Sequence, residues 1–211
     1  MNIIKLKLFQ ETACYKKPFA FKVAETYPLP PYSTVIGMLH KVLQAQNGEY
    51  FDMNISIQGE YEGIFSNYQN LRMFKASGEV TAMPRNVHQL LNVNLIIHVQ
   101  ADDEIIEKIY KNMLEGQETV TLGRNEDLVR IDEIKIIPEP QMVTIQLANH
   151  SAYIPGHDVS GIKYRLNTVY TKENDIRKWQ KVDVTYIEKN TNVQLRNALQ
   201  DEDGDFIYFY K

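Results

Sequence analysis

Three prolines crowd into the stretch PLPPYSTVIGML, residues 28–39, directly before an apolar pattern with helical spacing. Proline fixes its own φ angle, lacks an N–H donor and disfavours helical geometry in the residue before it. The chain must therefore turn from one element into another at Pro30 and Pro31. Ser33 or Thr34 is expected to cap the helix that follows, because a side-chain oxygen there can accept a backbone N–H.

Apolar patterns on both sides of this junction predict alternating strands and helices. Period-two patterns place strands at the N-terminus and at residues 53–57, 93–99 and 128–137. Helical periods place helices at about 33–47, ending at Asn47-Gly48, and at about 103–115, ending at Gly116. Residues 59–90 lack a helical period and form a long insertion with room for a hairpin.

This order predicts an α+β fold with a ferredoxin-like (RRM-like) β-α-β-β-α-β core, a long insertion between its second and third strands and a β-rich C-terminal extension. The expected domains are residues 1–140, with the insertion at about 59–90, and residues 141–211, packed on the first domain. In the second domain we expect a hairpin around Lys189-Asn190, a terminal strand, and a solvated turn at the acidic QDEDGD segment.

Composition and charge limit the classes of function that the chain can have. A net charge of −4 and a pI of about 5.8 argue against a free-standing nucleic-acid binder but leave room for local basic patches inside an assembly. A lone Cys14 builds neither a disulfide nor a thiolate zinc site, and no histidine pair has ligand spacing, so we predict no metal and no other cofactor. Without a signal peptide or a membrane-spanning stretch, the chain is expected to be cytoplasmic.

Cations gather with aromatic residues at several places along the chain. One group is the first loop, with Lys16 and Lys17, and another is the insertion, with Arg72, Lys75 and Arg85. Either group is typical of a phosphate-binding surface or of an ordinary solvated loop.

Two further motifs carry chemistry-bearing side chains. Arg124 follows Gly123 in a tight turn, where a planar guanidinium suits a phosphate or a carboxylate. The stretch from Lys163 to Lys181 combines cations with Tyr164 and Trp179, which is typical of a strand-binding surface or of a solvated face. His157-Asp158 in the same region is a weak candidate for acid–base work.

Two of these motifs together resemble a known family. YPLPPYSTVIGML is similar to the Pro-Pro-x-Ser/Thr-x-x-Gly-Met-Leu signature of the CRISPR-associated Cascade subunit that holds the 5′ handle of crRNA, in the type I, I-B-like branch of the RAMP superfamily. LGRNE resembles the Leu-Gly-Arg motif after that family's second helix. The matching positions are Pro30, Pro31, Ser33, Thr34, Gly37, Met38, Leu39, Leu122, Gly123, Arg124 and Glu126.

The resemblance covers roughly residues 1–140 and implies a crRNA-binding subunit, without catalytic residues, in an RNA-guided antiviral ribonucleoprotein complex. It implies contacts with the Cascade backbone subunit and large subunit, target DNA nearby through the complex, and no membrane. The insertion would be a thumb-like hairpin against the backbone subunit. The expected RNA contacts are Lys16, Lys17, Tyr32, Ser33, Thr34, Arg72, Lys75, Arg85 and Arg124.

Two alternatives stay open. One branch of the family cleaves precursor crRNA without metal, using Tyr, Lys and His, and this sequence contains all three types. His40-Lys41 lies on the first helix and resembles an ordinary helix surface. The second alternative is an unrelated ferredoxin-like scaffold protein.

Overall fold

The computed structural model describes residues 2–18, 20, 22–116, 119–156, 159–174 and 176–210. The acid–base candidates His157 and Asp158 lie outside these residues. The described elements, in chain order, are β1 (Asn2–Ala13), β2 (Val23–Ala24), α1 (Tyr32–Val42), β3 (Asn54–Glu60), β4 (Gly63–Phe74), β5 (Val80–Ala101), α2 (Asp103–Glu115), β6 (Arg130–Ile137), β7 (Gln141–Leu147), β8 (Ser151–Pro155), β9 (Ile162–Glu173), β10 (Ile176–Ile187), β11 (Asn192–Gln200) and β12 (Phe206–Ile207).

One nine-stranded sheet organises the described chain. Its main path runs β6-β1-β5-β3-β8-β10-β9, and β2 and β4 pair with β5 off this path. Every pairing in it is antiparallel except that of the short β2 with β5. A second sheet of three strands has the order β12-β11-β7.

The predicted α+β class with a ferredoxin-like β-α-β-β-α-β core is wrong. The described chain is mostly β, with two helices of 11 and 13 residues against a β5 that alone has 22. The large antiparallel sheet also continues past β3, because Gln58 and Gly59 pair with Ala152 and Ser151 of β8. Apolar periodicity identifies strands but does not show which strands pair, and this is where the prediction failed.

Both helices pack on the main sheet through the apolar faces that their periodicity predicts. α1 buries Val35 and Leu39 in the core near β9, while α2 buries Ile106 and Ile109 near β1 and β5. Each such side chain contributes roughly 1.5–3 kcal/mol on burial. Among the described residues, neither helix is both long and apolar enough to cross a membrane.

The ends of α1 differ from the prediction. Pro31 occupies the N-cap position. No described side chain makes a capping hydrogen bond, because Ser33 and Thr34 already lie inside the first turn. The helix ends at Val42, before the predicted Asn47-Gly48, since Gln44 has a φ of 56° and cannot continue it. For α2, the predicted Gly116 does lie at the C-cap.

The insertion forms the expected hairpin. β4 and β5 pair continuously from Gly63–Leu91 to Phe74–Val80. Large apolar side chains remain exposed along it, including Tyr68 at 69% and Phe74 at 78%. The hairpin therefore presents a surface that its own chain does not cover.

The C-terminal predictions fail in two places. β10 belongs to the main sheet and β11 to the small one, so Lys189-Asn190 joins two sheets and does not form a hairpin turn. The acidic segment does form a turn, with Glu202 and Asp203 exposed at its tip, but it is not solvated throughout. Asp201 is fully buried, and Asp205 nearly so.

The acidic segment surrounds one buried lysine. Lys5 Nζ donates to Asp201, Asp203 and Asp205 at 2.6, 2.8 and 2.6 Å, and His98 Nε2 lies 3.0 Å from Asp201. Burial opposes the charge on Lys5, but the three carboxylates prevail and raise its pKa. Burial likewise opposes the charge of Asp201, while His98 and Lys5 hold its pKa below the usual range. This ion cluster fastens the C-terminal segment to β1.

Candidate nucleic-acid interface

A hollow of about 200 Å³ lies at the amino end of α1. We call it the α1 hollow; it is lined by Lys16, Lys17, Pro18, Tyr27, Pro31, Ser33, Thr34 and Asn167. Four of the nine residues predicted to contact RNA therefore lie together. Sequence spacing does not bring them together. The antiparallel pairing of residues 15–17 with residues 25–27 places the first loop beside the start of α1.

The backbone at the hollow presents the positive end of a helix. Thr34 N and Val35 N donate to the Pro31 carbonyl, while the N–H groups before them have no partner within the helix. No acidic residue lies in the first turn, and no side chain in the described part of the chain caps it. The site therefore combines a helix dipole with two lysines, an arrangement that favours an anion such as a phosphate.

The first loop is held in place beside the helix. Lys16 pairs with Thr26 in an isolated β-bridge, and Lys17 Nζ lies 3.3 Å from Glu25 and 6.0 Å from the centre of the Tyr27 ring. Lys16 is exposed, and Lys17 is half-buried. Both lysines therefore line the hollow from a fixed backbone, and the Lys17 ammonium is already paired with Glu25.

Tyr32 cannot stack on a base here, contrary to the sequence-based expectation. Its side chain is fully buried, with its ring 4.6 Å from that of Tyr210 and 6.2 Å from that of Tyr153. Burial raises the pKa of its hydroxyl, which has no hydrogen-bond partner among the described residues. Tyr32 is a core residue that anchors α1.

Arg124 binds a carboxylate of its own chain, which is one of the two kinds of partner predicted for its guanidinium. Its guanidinium and backbone N–H both donate to the buried Asp127, and Nη1 also donates to Gln69 of β4. Burial opposes the charge, but Asp127 prevails and raises the pKa of Arg124. In the structure Arg124 holds the 121–128 loop together and ties the hairpin to it.

The backbone geometry and the packing at position 123 explain why this turn needs glycine. Its φ is +111°, and an added Cβ would lie 2.8 Å from Asp127 Oδ2 and 3.2 Å from the Cys14 carbonyl. Asp127 Oδ2 also accepts the N–H of Cys14. The Leu-Gly-Arg motif thus fastens the end of β1 and the first loop.

The other predicted contacts are spread along the β4–β5 hairpin. Arg72 and Lys75 are exposed, and Lys75 forms an ion pair with Glu79 at 2.8 Å. Arg85 is half-buried and donates to the Ala20 carbonyl. The structure does not bring Arg72 and Lys75 into the α1 hollow.

Three of the predicted cations nevertheless lie around Cys14. Burial raises the pKa of the Cys14 thiol, and the charges of Arg124, Arg85 and Lys16 lower it in part. The Asp127 carboxylate acts on the same thiol in the opposite sense and engages Arg124, so these cations lie around the start of the first loop together with a buried anion.

Sequence reasoning missed a second hollow of about 410 Å³ between α1 and the β9–β10 hairpin. We call it the α1–β9 pocket. Tyr50, Tyr170 and Trp179 line it, each between 37% and 45% exposed. The remaining lining residues are Ser33, Ile36, Gly37, His40, Ala45, Gln46, Asn47, Gly48, Glu49, Thr168, Val169 and Lys172. The aromatic and basic stretch around Trp179 indicates a binding surface in the sequence. The packing of this stretch beside α1, which forms the pocket, could not be predicted from the sequence.

Comparison with known families identifies the chain. A family profile described as "CRISPR-associated protein (Cas_Cas5)" matches residues 3–197. The chain belongs to the Cas5 family. This confirms the resemblance to a CRISPR-associated Cascade subunit that the Pro-Pro and Leu-Gly-Arg motifs indicated, and it extends the match well past residue 140. Comparison with curated proteins finds no matching sequence.

Solved structures share the fold of this Cas5 chain at low sequence identity. A chain of a "CRISPR RNA-guided surveillance complex" superposes with a TM-score of 0.66 at 12% identity, covering 92% of both chains. A CRISPR protein from Archaeoglobus fulgidus gives 0.51 at 11% identity over 98% of both chains. A third structure, a Cas protein, gives 0.52 at 10% identity, covering 92% of this chain and 95% of that one.

Proposed function

We propose that this chain is a non-catalytic RNA-binding subunit of a type I CRISPR Cascade complex and holds the 5′ handle of crRNA. One observation carries the proposal. In this member of the Cas5 family, a single hollow at the amino end of a helix is lined by four residues that the sequence predicted to contact RNA: Lys16, Lys17, Ser33 and Thr34. Phosphates of single-stranded RNA suit such a combination of lysines and free backbone donors.

The proposed roles differ among the predicted residues. Lys16 and Lys17 neutralise phosphates, and the Ser33 N–H together with the hydroxyls of Ser33 and Thr34 supplies directed donors. Arg124 acts by positioning the first loop through Asp127, since that carboxylate already engages its guanidinium. Sequence specificity for foreign DNA would belong to base pairing with the guide and not to this chain.

The β4–β5 hairpin is the proposed contact with the rest of the complex. Its exposed Tyr68, Phe74 and Val80 form an apolar surface that isolated chains seldom leave open. Arg72 and Lys75 would add cations to this thumb-like extension, close to RNA held between this subunit and the Cascade backbone subunit. Phe74→Ser is expected to reduce recovery of that subunit without lowering the Tm of the isolated chain.

The binding proposal is tested by RNA affinity at several salt concentrations. The double variant Lys16→Ala/Lys17→Ala removes two phosphate contacts, so the slope of log K against log salt is expected to become shallower by about 1.4 for single-stranded RNA. The matched control is Lys108→Ala/Lys111→Ala, which removes two exposed lysines from α2. If both double variants behave alike, the α1 hollow is not the RNA site.

A second candidate function, metal-independent cleavage of precursor crRNA, is favoured by one observation. His40, Tyr50 and Lys172 line the same α1–β9 pocket. Against it, His40 Nε2 accepts the Phe51 N–H at 3.1 Å, and burial lowers the pKa of His40, so this nitrogen is not free to take a proton. Incubating the chain with repeat RNA in EDTA decides the matter: cleavage at one position supports the enzyme.

A further inference from the structure

Gly37 is a glycine that packing does not require. It lies in the middle of α1 with ordinary helical geometry, where glycine costs stability relative to alanine. A Cβ added to it would meet no atom of the described residues within 4 Å. The missing side chain leaves the helix backbone open toward the α1–β9 pocket, which Gly37 lines.

The wall opposite Gly37 is aromatic and is shaped by an irregular hairpin. Tyr170 and Trp179 are cross-strand neighbours with ring centres 5.1 Å apart. The pairing register shifts between Trp179 and Lys181, and Thr168 Oγ1 donates to the Gln180 carbonyl at this irregularity. Such bulges turn side chains away from the regular alternation of a strand, here beside the pocket.

Polar groups around the aromatic wall are suited to a heterocycle. The Phe51 N–H donates to His40 Nε2, which leaves the neutral imidazole with its proton on Nδ1. The side chains of Gln46 and Asn47 also line the pocket. At about 410 Å³ the pocket falls within the range of small-ligand sites, about 300–1,000 Å³.

The position and charge of the pocket favour a nucleobase over a protein segment. Ser33 lines both this pocket and the α1 hollow, so the two cavities meet at the start of α1. Lys172 lines the pocket, and the Arg177 guanidinium lies 4.6 Å from the centre of the Tyr170 ring. The one carboxylate among the described lining residues, Glu49, accepts the Gln46 N–H.

We propose that the α1–β9 pocket receives one unstacked nucleobase of the RNA strand whose backbone crosses the α1 hollow. The base stacks on Tyr170 and Trp179 and lies against the bare helix backbone at Gly37. The proposal rests on the RNA-binding function proposed above and adds a second subsite to it.

Trp179 makes the proposal directly measurable, because it is the only tryptophan of the chain. The probes are a single-stranded RNA of about ten nucleotides and an abasic ribose-phosphate strand of the same length. RNA is expected to change Trp179 fluorescence, while the abasic strand binds without changing it.

Two variants separate base binding from phosphate binding. Gly37→Val fills the pocket and is expected to abolish the fluorescence change and to weaken RNA binding at least about fivefold. Gly63→Val, at another glycine with no neighbour within 4 Å, is the control that leaves both unchanged. Lys16→Ala/Lys17→Ala weakens binding of RNA and abasic strand alike but preserves the fluorescence change at saturation.

The possible results distinguish this inference from the function on which it rests. If RNA binds in a Lys16/Lys17-dependent way while Trp179 is silent and Gly37→Val binds normally, the base subsite is refuted and the RNA-binding function stands. If RNA does not bind at any salt concentration, both are refuted. If Trp179 responds to a partner subunit in the absence of RNA, a protein segment fills the pocket and the nucleobase assignment is wrong.

Discussion

Replacing Lys5 by methionine tests the ion cluster that holds the C-terminal segment. Lys5 is fully buried, and its Nζ lies within 2.8 Å of three carboxylates. Removing one partner of a buried ion pair costs about 3–5 kcal/mol, because the remaining charge is left without compensation. Asp201 keeps His98, and Asp205 keeps His150. We therefore expect a loss at the lower end of that range, about 3 kcal/mol.

The pH dependence of the loss follows from the pKa shifts. The lowered pKa of Asp201 stabilises the fold above the ordinary value of 3.8, and the raised pKa of Lys5 does so below 10.5, so the wild-type cluster contributes between these values. Without Lys5 the carboxylates take up protons more readily. The deficit of Lys5→Met is therefore expected to shrink from pH 7 to about pH 5.

Urea denaturation at the two pH values measures this effect, with Lys7→Met as the matched control. Lys7 also lies on β1 and forms an ion pair, with Glu133 at 2.7 Å, but both side chains are more than a third exposed. Such a pair contributes about 0–1 kcal/mol. The reasoning is refuted if the two variants lose equal stability at pH 7. Should Lys5→Met not fold, Asp201→Asn is the milder variant. It leaves Lys5 with Asp203 and Asp205, so its deficit is expected to be nearly the same at pH 7 and pH 5.

Three further changes have expected outcomes. Gly123→Ala should lower the free energy of unfolding by about 1–3 kcal/mol in urea, because its Cβ would approach Asp127 at a φ of +111°. Gly37→Ala should raise it by about 0.5–1 kcal/mol, and a Tm below wild type would contradict an open pocket. Asp205 raises the pKa of His150 above 6.5 despite burial, so the stability lost in His150→Gln should be greatest below about pH 6.5 and shrink toward pH 8.

Local features of the fold could be predicted from the sequence. The apolar period of α2 and its Gly116 C-cap both depend on residues within a few positions of each other. The strand signal at residues 93–99 likewise lies inside β5. These features can be predicted without knowing which elements pack against them.

Features that depend on distant partners could not be predicted. Lys5 and Asp203 are 198 residues apart, so nothing near the acidic segment indicates that its two ends are buried. Tyr32 was predicted to contact RNA because the residues that bury it, Tyr153 and Tyr210, are distant in the sequence. The predicted fold class was wrong for the same reason, because the main sheet is extended by strand pairings that apolar periodicity does not show.

Ultraviolet cross-linking of crRNA to this subunit in the assembled complex, followed by mass spectrometry of its peptides, tests the central claim most directly. The account predicts cross-links in the peptides that carry Lys16, Lys17 and Tyr27 and in the peptide that begins α1. Cross-links confined to α2 or to the small β12-β11-β7 sheet would contradict it.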